Sequence, residues 1–209
     1  MKIESWNKRL AERSDLSTYV THLTKSKKTQ DSSTSALDIL IKILKEKTII
    51  GSTTESGFIC GDTPAVCFQD SPLYHLTQNI YYEQKMRQAK EYEKIRYLGI
   101  GLMFMKTYVF KKGGRPVIYE QTDVAKKILP KSEYWRIVNY DLNDYNKIID
   151  WTHEREWRIK NNFEFELKDV TVVLPNPKDV KTFSNKYIKA FKSSPIDDLN
   201  GVIALRHLL

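Results

Sequence analysis

Residues 151–159 read W-T-H-E-R-E-W-R-I, and the alternation in this stretch sets how the rest of the chain is interpreted. In an extended strand, successive side chains point to opposite faces of the sheet. One predicted face is then formed by Thr152, Glu154, Glu156 and Arg158. The other is formed by Trp151, His153, Arg155, Trp157 and Ile159. Because both faces carry polar groups that need partners, the stretch indicates either a salt-bridged ladder or a reaction site.

Outward from this stretch, apolar runs and helical periodicities are interspersed without a regular β-α-β rhythm. The predicted strands are residues 19–24, 48–50, 65–68, 97–104, 117–119, 163–167 and 170–174. The predicted helices are residues 1–18, 36–47, 73–93, 123–129, 143–149 and 178–192, with one helical turn at 106–112. Ser35 or Thr34 is placed to cap the second helix, with Asp38 returning the bond. Gly99 and Gly101 predict a close backbone approach along strand 97–104.

This order predicts a single α+β domain over residues 1–209, with residues 1–18 as a helical N-terminal arm. The expected architecture is a mixed or antiparallel central sheet flanked by helices. Hydrophobic residues make up 41% of the chain, which is enough to form a core.

Several protein classes do not fit the sequence. It has no run of about 18 apolar residues, so no membrane span is expected. The N-terminus lacks the apolar centre of a signal peptide. Cys60 and Cys67 are too few for a disulfide framework or a four-cysteine zinc site. We therefore expect a cytoplasmic protein without a metal site.

The formal net charge of +8 favours a polyanionic partner such as DNA or RNA. The basic residues are spread along the chain, although they cluster at Lys25, Lys27 and Lys28 and again at Lys111, Lys112 and Arg115. A basic surface also serves solubility, so both interpretations stay open.

Familiar catalytic motifs are absent: there is no phosphate-binding P-loop, no GxGxxG, no HExxH and no GxSxG. Cys67 lies in an apolar run, which raises the pKa of a thiol and makes it a poor nucleophile. The polar residues that remain as candidates are His22, Thr24, Asp70, Arg115, Tyr119, Glu154, Glu156 and Arg158, together with the aromatic Phe68. His22 is either a hydrogen-bonded structural residue or a contact to a ligand hydroxyl. Glu154 and Glu156 are the sharpest candidates.

These segments resemble a known family. The order H-x-T at 22–24, P-A-V-C-F-Q-D-S-P-L at 64–73, Y-L-G-I-G-L-M-F at 97–104, G-G-R-P-V-I-Y at 113–119 and E-R-E-W-R at 154–158 is similar to the AbiGi-type abortive-infection proteins of bacteria. The resemblance covers roughly residues 19–175. It implies a role in phage defence and a cognate antitoxin or defence partner.

A more remote resemblance is to DarT-like ADP-ribosyltransferases. The matching pieces are His22 with Thr24, residues 66–73, Asp150-Trp151 and Glu156-Trp157. This resemblance implies a split transferase-like sheet, NAD as substrate, and a nucleic-acid or protein acceptor. The chain lacks the arginine that those enzymes place soon after the first helix, so Arg115 or Arg158 would have to replace it.

The resemblance also implies roles for individual residues. Glu156 would be the catalytic carboxylate, and Glu154 would activate the acceptor. His22 would contact the adenosine side of NAD, and Arg115 or Arg158 would bind its phosphates. Thr24, Phe68 and Tyr119 complete the expected NAD-binding set. The chemistry is coherent, because cleaving a glycosidic bond develops positive charge on the sugar that a fixed carboxylate stabilises.

Three functions follow as hypotheses. The first is an NAD-consuming transferase, and the second is a non-catalytic defence or regulatory protein that binds nucleic acid or a protein partner. The third is a metal-dependent nuclease or other hydrolase, for which the carboxylates of Asp62, Asp70, Glu154 and Glu156 would bind a divalent ion.

Overall fold

The computed structural model describes residues 1–28, 33–56, 59–90 and 97–208, and it confirms an α+β fold with a mostly antiparallel sheet. The helices are α1 (Ile3–Ala11), α2 (Ala36–Glu46), α3 (Leu73–Gln88), α4 (Lys106–Lys111), α5 (Thr122–Ile128), α6 (Pro177–Phe191) and α7 (Pro195–Asp198). The strands are β1 (Tyr19–Leu23), β2 (Lys27–Lys28), β3 (Ser33–Thr34), β4 (Thr48–Ile49), β5 (Ala65–Gln69), β6 (Gly101–Met105), β7 (Arg115–Pro116), β8 (Ile118–Glu120), β9 (Ile137–Asn139), β10 (Glu156–Lys160), β11 (Phe163–Glu164), β12 (Thr171–Leu174) and β13 (Gly201–Ala204).

The contacts divide the chain into two compact units. The first unit contains Met1–Thr48, Ser71–Phe104 and Phe165–Leu209, and the second contains Ile49–Asp70 and Met105–Glu164. The assignment of the chain to a single domain stays a prediction. Within the described residues, no helix combines the length and the hydropathy that crossing a bilayer requires.

The first unit has the strand order β13-β12-β6-β1. β12 pairs in parallel with β13 and antiparallel with β6, so Val172 lies opposite both Val202 and Leu102. Helix α3 contributes Leu76 and Ile80 to a buried cluster that also contains Tyr97, Met103, Val173 and Leu205. This cluster is a core of the first unit.

The second unit has the strand order β5-β10-β7, and both pairings are antiparallel. The second unit also contains a separate two-stranded parallel sheet, formed by β8 and β9. A smaller core cluster contains Ile59, Ala65 and Trp135, with Cys67 packed against it. β10 is the middle strand of the three, and it carries the residues of most functional interest.

Most predicted elements are confirmed. They include the strands at 19–24, 65–68 and 170–174, the helices at 36–47, 123–129 and 178–192, and the turn at 106–112. Ser35 is the N-cap of α2, where its hydroxyl accepts the Asp38 backbone N–H at 3.1 Å and donates to the Asp38 carboxylate at 2.6 Å. The predicted helix 73–93 ends at Gln88, and residues 91–96 lie outside the described part of the chain.

One strand boundary and one predicted helix differ, because glycine and aspartate favour other backbone conformations there. The strand predicted at 97–104 begins only at Gly101, since Gly99 has a left-handed φ of +69°. The predicted helix at 143–149 is wrong. The carboxylates of Asp141 and Asp144 there accept the backbone N–H groups of Asn143 and Asn146 at 3.0 and 2.9 Å, and such local bonds compete with a helix.

The ends of the chain also differ from expectation. The N-terminal helix α1 covers only Ile3–Ala11 of the predicted arm, and the C-terminal strand β13 was not predicted. The close backbone approach is confirmed at Gly101, where a Cβ atom would lie 2.3 Å from the His22 carbonyl oxygen.

Candidate functional site

The strand predicted at 151–159 is wrong in its first half. Asp150 accepts the backbone N–H and the hydroxyl of Thr152 at 2.9 and 2.6 Å, and a 3-10 helix follows over Thr152–Glu154. Arg155 then adopts a left-handed φ of +45°, so β10 begins only at Glu156. Glu154 therefore lies in a turn rather than on a strand face with Glu156.

The second half of the prediction is correct, because Glu156 and Arg158 share one face of β10. Their antiparallel partners on β5 are Gln69 and Cys67, respectively. Residues that pair directly across two strands point to the same face, with Cβ atoms about 5 Å apart. Four side chains, from Gln69, Glu156, Arg158 and Cys67, therefore form one polar patch inside the second unit.

Glu156 and Arg158 form a buried bidentate ion pair. The Arg158 Nε donates to Glu156 Oε1 at 2.7 Å, and Nη2 donates to Oε2 at 3.2 Å. The side chains are only 3% exposed for Arg158 and 8% exposed for Glu156. Nη1 donates to the carbonyl oxygens of Trp135 and Ile137 at 2.9 and 3.1 Å. Arg158 thus links the Glu156 carboxylate to the backbone at the start of β9 and just before it.

Burial and neighbouring charges both shift the pKa values of the groups in this patch. Burial is the largest single influence on the Arg158 guanidinium and lowers its pKa, but the charge and hydrogen bonds of Glu156 together with the contact to Cys67 outweigh burial, so the pKa is raised. Burial also raises the pKa of the Cys67 thiol, and the Glu156 carboxylate adds to that effect. A thiol in this setting stays protonated, which agrees with the expectation that Cys67 is a poor nucleophile.

Gln69 has a buried amide oxygen without a hydrogen-bond partner. The residue is 8% exposed, and its Oε1 is fully buried. Most buried polar atoms have a partner, so an orphaned acceptor beside a carboxylate is a feature that calls for a donor. A ligand hydroxyl is one group that could supply it.

Tyr119 forms a hydrogen bond with Glu156, the first residue of β10. Its hydroxyl oxygen accepts the Glu156 backbone N–H at 2.8 Å. Burial raises the pKa of Tyr119 to about 12. The hydroxyl is therefore neutral near pH 7 and acts as a positioning group for Glu156.

The opposite face of β10 carries Trp157. Its indole N–H donates to the Asp70 carboxylate at 3.2 Å, and Lys106 pairs with the other Asp70 oxygen at 2.8 Å. The Lys106 and Asp70 side chains are only 15% and 18% exposed. This second polar cluster links the residue after β5, the second residue of β10 and the first residue of α4.

Arg115 is held locally. Its guanidinium lies 4.0 Å from the centre of the Phe110 ring and donates to the carbonyl oxygens of Phe110 and Gly114 at 3.0 and 2.7 Å. Phe110 in turn packs edge-to-face against Trp157, with ring centres 6.5 Å apart. The expected phosphate contact by Arg115 would need these local bonds to open.

The remaining predicted site residues lie elsewhere. Phe68 is 1% exposed and packs edge-to-face on Phe163 with ring centres 5.3 Å apart, so it is a core residue, and its contact with NAD stays a prediction. Thr24 is buried in the first unit, where its hydroxyl donates to the Ile100 carbonyl oxygen at 3.0 Å. His22 lies on β1, also in the first unit.

An open pocket of about 390 Å³ lies on the first unit. Its walls include Tyr19, Met103, Thr171, Asn200 and Gly201. None of the residues predicted to bind NAD or to act in catalysis lines it. Of the predicted site residues, the structure brings together Tyr119, Glu156 and Arg158. Arg115 on β7 is the strand partner of Arg158 on β10.

Sequence reasoning missed Gln69, Lys106 and the role of Trp157. Gln69 could have been found, because it follows Ala65 and Cys67 at a spacing of two on a strand whose apolar neighbours predict burial. Lys106 carries no such signal, since its partner Asp70 is 36 positions away in the sequence.

Among the residues that the structure describes, no group of three or more His, Cys, Asp and Glu side chains is arranged to hold a metal ion. Comparison with protein-family models, with curated proteins and with solved structures finds no match to this chain.

Proposed function

We propose that the chain is an NAD-consuming, ADP-ribosyltransferase-like effector of phage defence or of a toxin system, acting in the cytoplasm on a nucleic-acid or protein acceptor. The observation that carries the proposal is the pair of acceptors at the head of β10. Glu156 is fixed there by Arg158, and its neighbour Gln69 offers an unused amide oxygen. The AbiGi-type and DarT-like sequence resemblances supply the reaction class.

The carboxylate of Glu156 suits the expected reaction. Breaking the bond between nicotinamide and ribose develops positive charge on the sugar, and a prepositioned carboxylate lowers the energy of that state. Arg158 uses one lone pair on each carboxylate oxygen. A carboxylate has about four acceptor sites, so Glu156 can still accept a ribose hydroxyl.

Gln69 would supply the second contact. Ribose presents two neighbouring hydroxyls, and the Gln69 and Glu156 side chains lie side by side on paired strands. One hydroxyl donating to Gln69 Oε1 would satisfy the buried orphan. Glu154, in the turn just before the strand, would then deprotonate the acceptor group.

A second candidate is a non-catalytic defence protein that binds nucleic acid or a protein partner, including a cognate antitoxin. The specific observation in its favour is that Arg158 already neutralises Glu156 in a buried pair. A guanidinium so close opposes part of the negative charge that the reaction requires.

Incubation of the purified chain with NAD labelled in its adenylate part, in the presence of cell extract, tests the first candidate. The wild type should transfer label to a macromolecule, and Glu156→Gln should not. Glu133→Gln, which alters a carboxylate paired with Arg136 in the same unit, is the matched control and should keep the activity.

The variant Glu156→Gln leaves Arg158 buried without its partner, so loss of activity alone would not separate catalysis from folding. The double variant Glu156→Gln/Arg158→Met removes both charges and should be folded but inactive. Transfer by the double variant at the wild-type rate, or no transfer by the wild type to any acceptor, would refute the transferase and favour the binding protein.

A further inference from the structure

Helix α3 carries three exposed tyrosines on a single face. Tyr74, Tyr81 and Tyr82 are 52%, 61% and 53% exposed. Their spacing of seven and eight residues puts them on the same side of an α-helix, since about two turns separate them. Leu76 and Ile80, on the opposite side, are buried in the core of the first unit. Each of the three tyrosines therefore keeps more than half of its surface exposed on the side of α3 that faces away from this core.

Two polar residues complete this tyrosine face, which consists of Tyr74, Gln78, Tyr81, Tyr82 and Lys85. Gln78 and Lys85 are both exposed, and around the helix axis their side chains project into the same sector as the three tyrosines. The single acidic residue of α3, Glu83, projects to a different side and has a buried carboxylate oxygen. Arg87 and Lys90 follow at the C-terminal end of the helix.

We propose that the tyrosine face of α3 binds single-stranded nucleic acid. Tyrosine rings stack on bases regardless of sequence, and each stacked base contributes substantially to affinity. Lys85 supplies a cation for the phosphate backbone, and the chain's net charge of +8 attracts such a polyanion. Charge complementarity thus selects this partner over an apolar protein surface or a second, equally basic copy of the chain.

Geometry favours an unpaired strand over a duplex. Tyr74 and Tyr81 lie about 10 Å apart along the helix axis, at 1.5 Å per residue. That distance matches the rise of about three stacked nucleotides in one strand. In a duplex the base faces are covered by neighbouring pairs, so the rings would find few faces to stack on.

Fluorescence anisotropy with labelled oligo(dT) and oligo(U) of about 20 nucleotides, and with a duplex of equal length, tests this inference. The wild type should bind one or both single strands at least about tenfold more tightly than the duplex. Tyr81→Ala should weaken binding about tenfold, and Tyr74→Ala/Tyr81→Ala/Tyr82→Ala about a hundredfold or more. Tyr145→Ala, which changes a tyrosine that is 92% exposed elsewhere in the chain, is the matched control and should bind like the wild type.

Salt dependence provides a second readout. Lys85→Ala should reduce the slope of log affinity against log salt by roughly 0.7, as expected for one lost phosphate contact on a single strand. Lys181→Ala, an exposed lysine on α6, should leave the slope unchanged. These variants change exposed positions, so we expect circular dichroism to show that they retain the fold.

Three outcomes would overturn the inference: no binding to any oligonucleotide, equal affinity of the tyrosine variants and the wild type, or equal affinity for single strand and duplex. Self-association of the wild type that the triple variant abolishes, without oligonucleotide binding, would instead assign the face to contacts between copies. The inference does not depend on the proposed transferase activity, because binding is measured without NAD.

Discussion

Arg158 Nε lies 2.7 Å from Glu156 Oε1, and one residue, Trp157, separates the two on β10. Side chains at this spacing point to the same face of a strand. Here both are buried, and the guanidinium donates two hydrogen bonds to the carboxylate. A buried ion pair costs desolvation on both sides, and removing one partner leaves the other as an unpaired buried charge.

Replacing one member of this pair should destabilise the protein more than replacing both. Glu156→Gln should lower the free energy of unfolding by about 3–5 kcal/mol, because Arg158 stays charged and buried. Glu156→Gln/Arg158→Met should recover much of that loss. Urea denaturation followed by tryptophan fluorescence measures both changes. A double variant no more stable than the single one would contradict the buried-pair interpretation.

Gln69→Met should separate stability from binding. Removing an amide oxygen that has no partner should raise the free energy of unfolding, or leave it unchanged, within about 1–2 kcal/mol. If Gln69 contacts ribose, the same change should weaken NAD binding about tenfold, which is about 1.4 kcal/mol. Urea denaturation and calorimetric titration with NAD give the two numbers. Marked destabilisation would show that the amide has a structural partner.

Tyr119 should make the protein sensitive to alkaline pH. Burial raises the pKa of Tyr119 from 10.0 to about 12, so the unfolded chain releases this proton at lower pH than the folded one does. Its contribution to stability is therefore complete below pH about 10 and is lost as the pH rises towards about 12. Tyr119→Phe should show a shallower loss of stability across that window, measured by urea denaturation.

At neutral pH, the same variant tests the hydrogen bond. Tyr119→Phe leaves the Glu156 backbone N–H without its acceptor, which should cost about 1–2 kcal/mol. Identical stability of Tyr119→Phe and the wild type at both neutral and alkaline pH would mean that the hydroxyl contributes nothing to positioning Glu156.

The ion pair of Asp70 with Lys106 should matter more than exposed pairs. Asp70→Ala removes a mostly buried carboxylate that also accepts the Trp157 indole N–H, so we expect a loss of about 2–3 kcal/mol. Glu46→Ala breaks an exposed pair with Lys42 on α2 and should cost at most about 0.5 kcal/mol. Equal losses in urea denaturation would contradict the predicted importance of burial.

Local patterns predicted the regular elements well. Ser35 with Asp38 marked the start of α2, and the glycines of residues 97–104 indicated the close approach at Gly101. Predictions failed where a carboxylate accepts the backbone N–H two residues further along, as at Asp150 and Asp141, because such bonds disrupt a regular element without changing the apolar pattern.

The sequence by itself determined that Glu156 and Arg158 share a face, because a period of two is a property of any strand. Only the tertiary structure decided that β10 is the middle strand of its group, which buries that face and pairs the two charges. Tertiary structure also placed Gln69 beside Glu156 and Lys106 beside Asp70. Contacts of this kind join residues far apart in sequence, and strand register, unlike strand periodicity, is not encoded in any one segment.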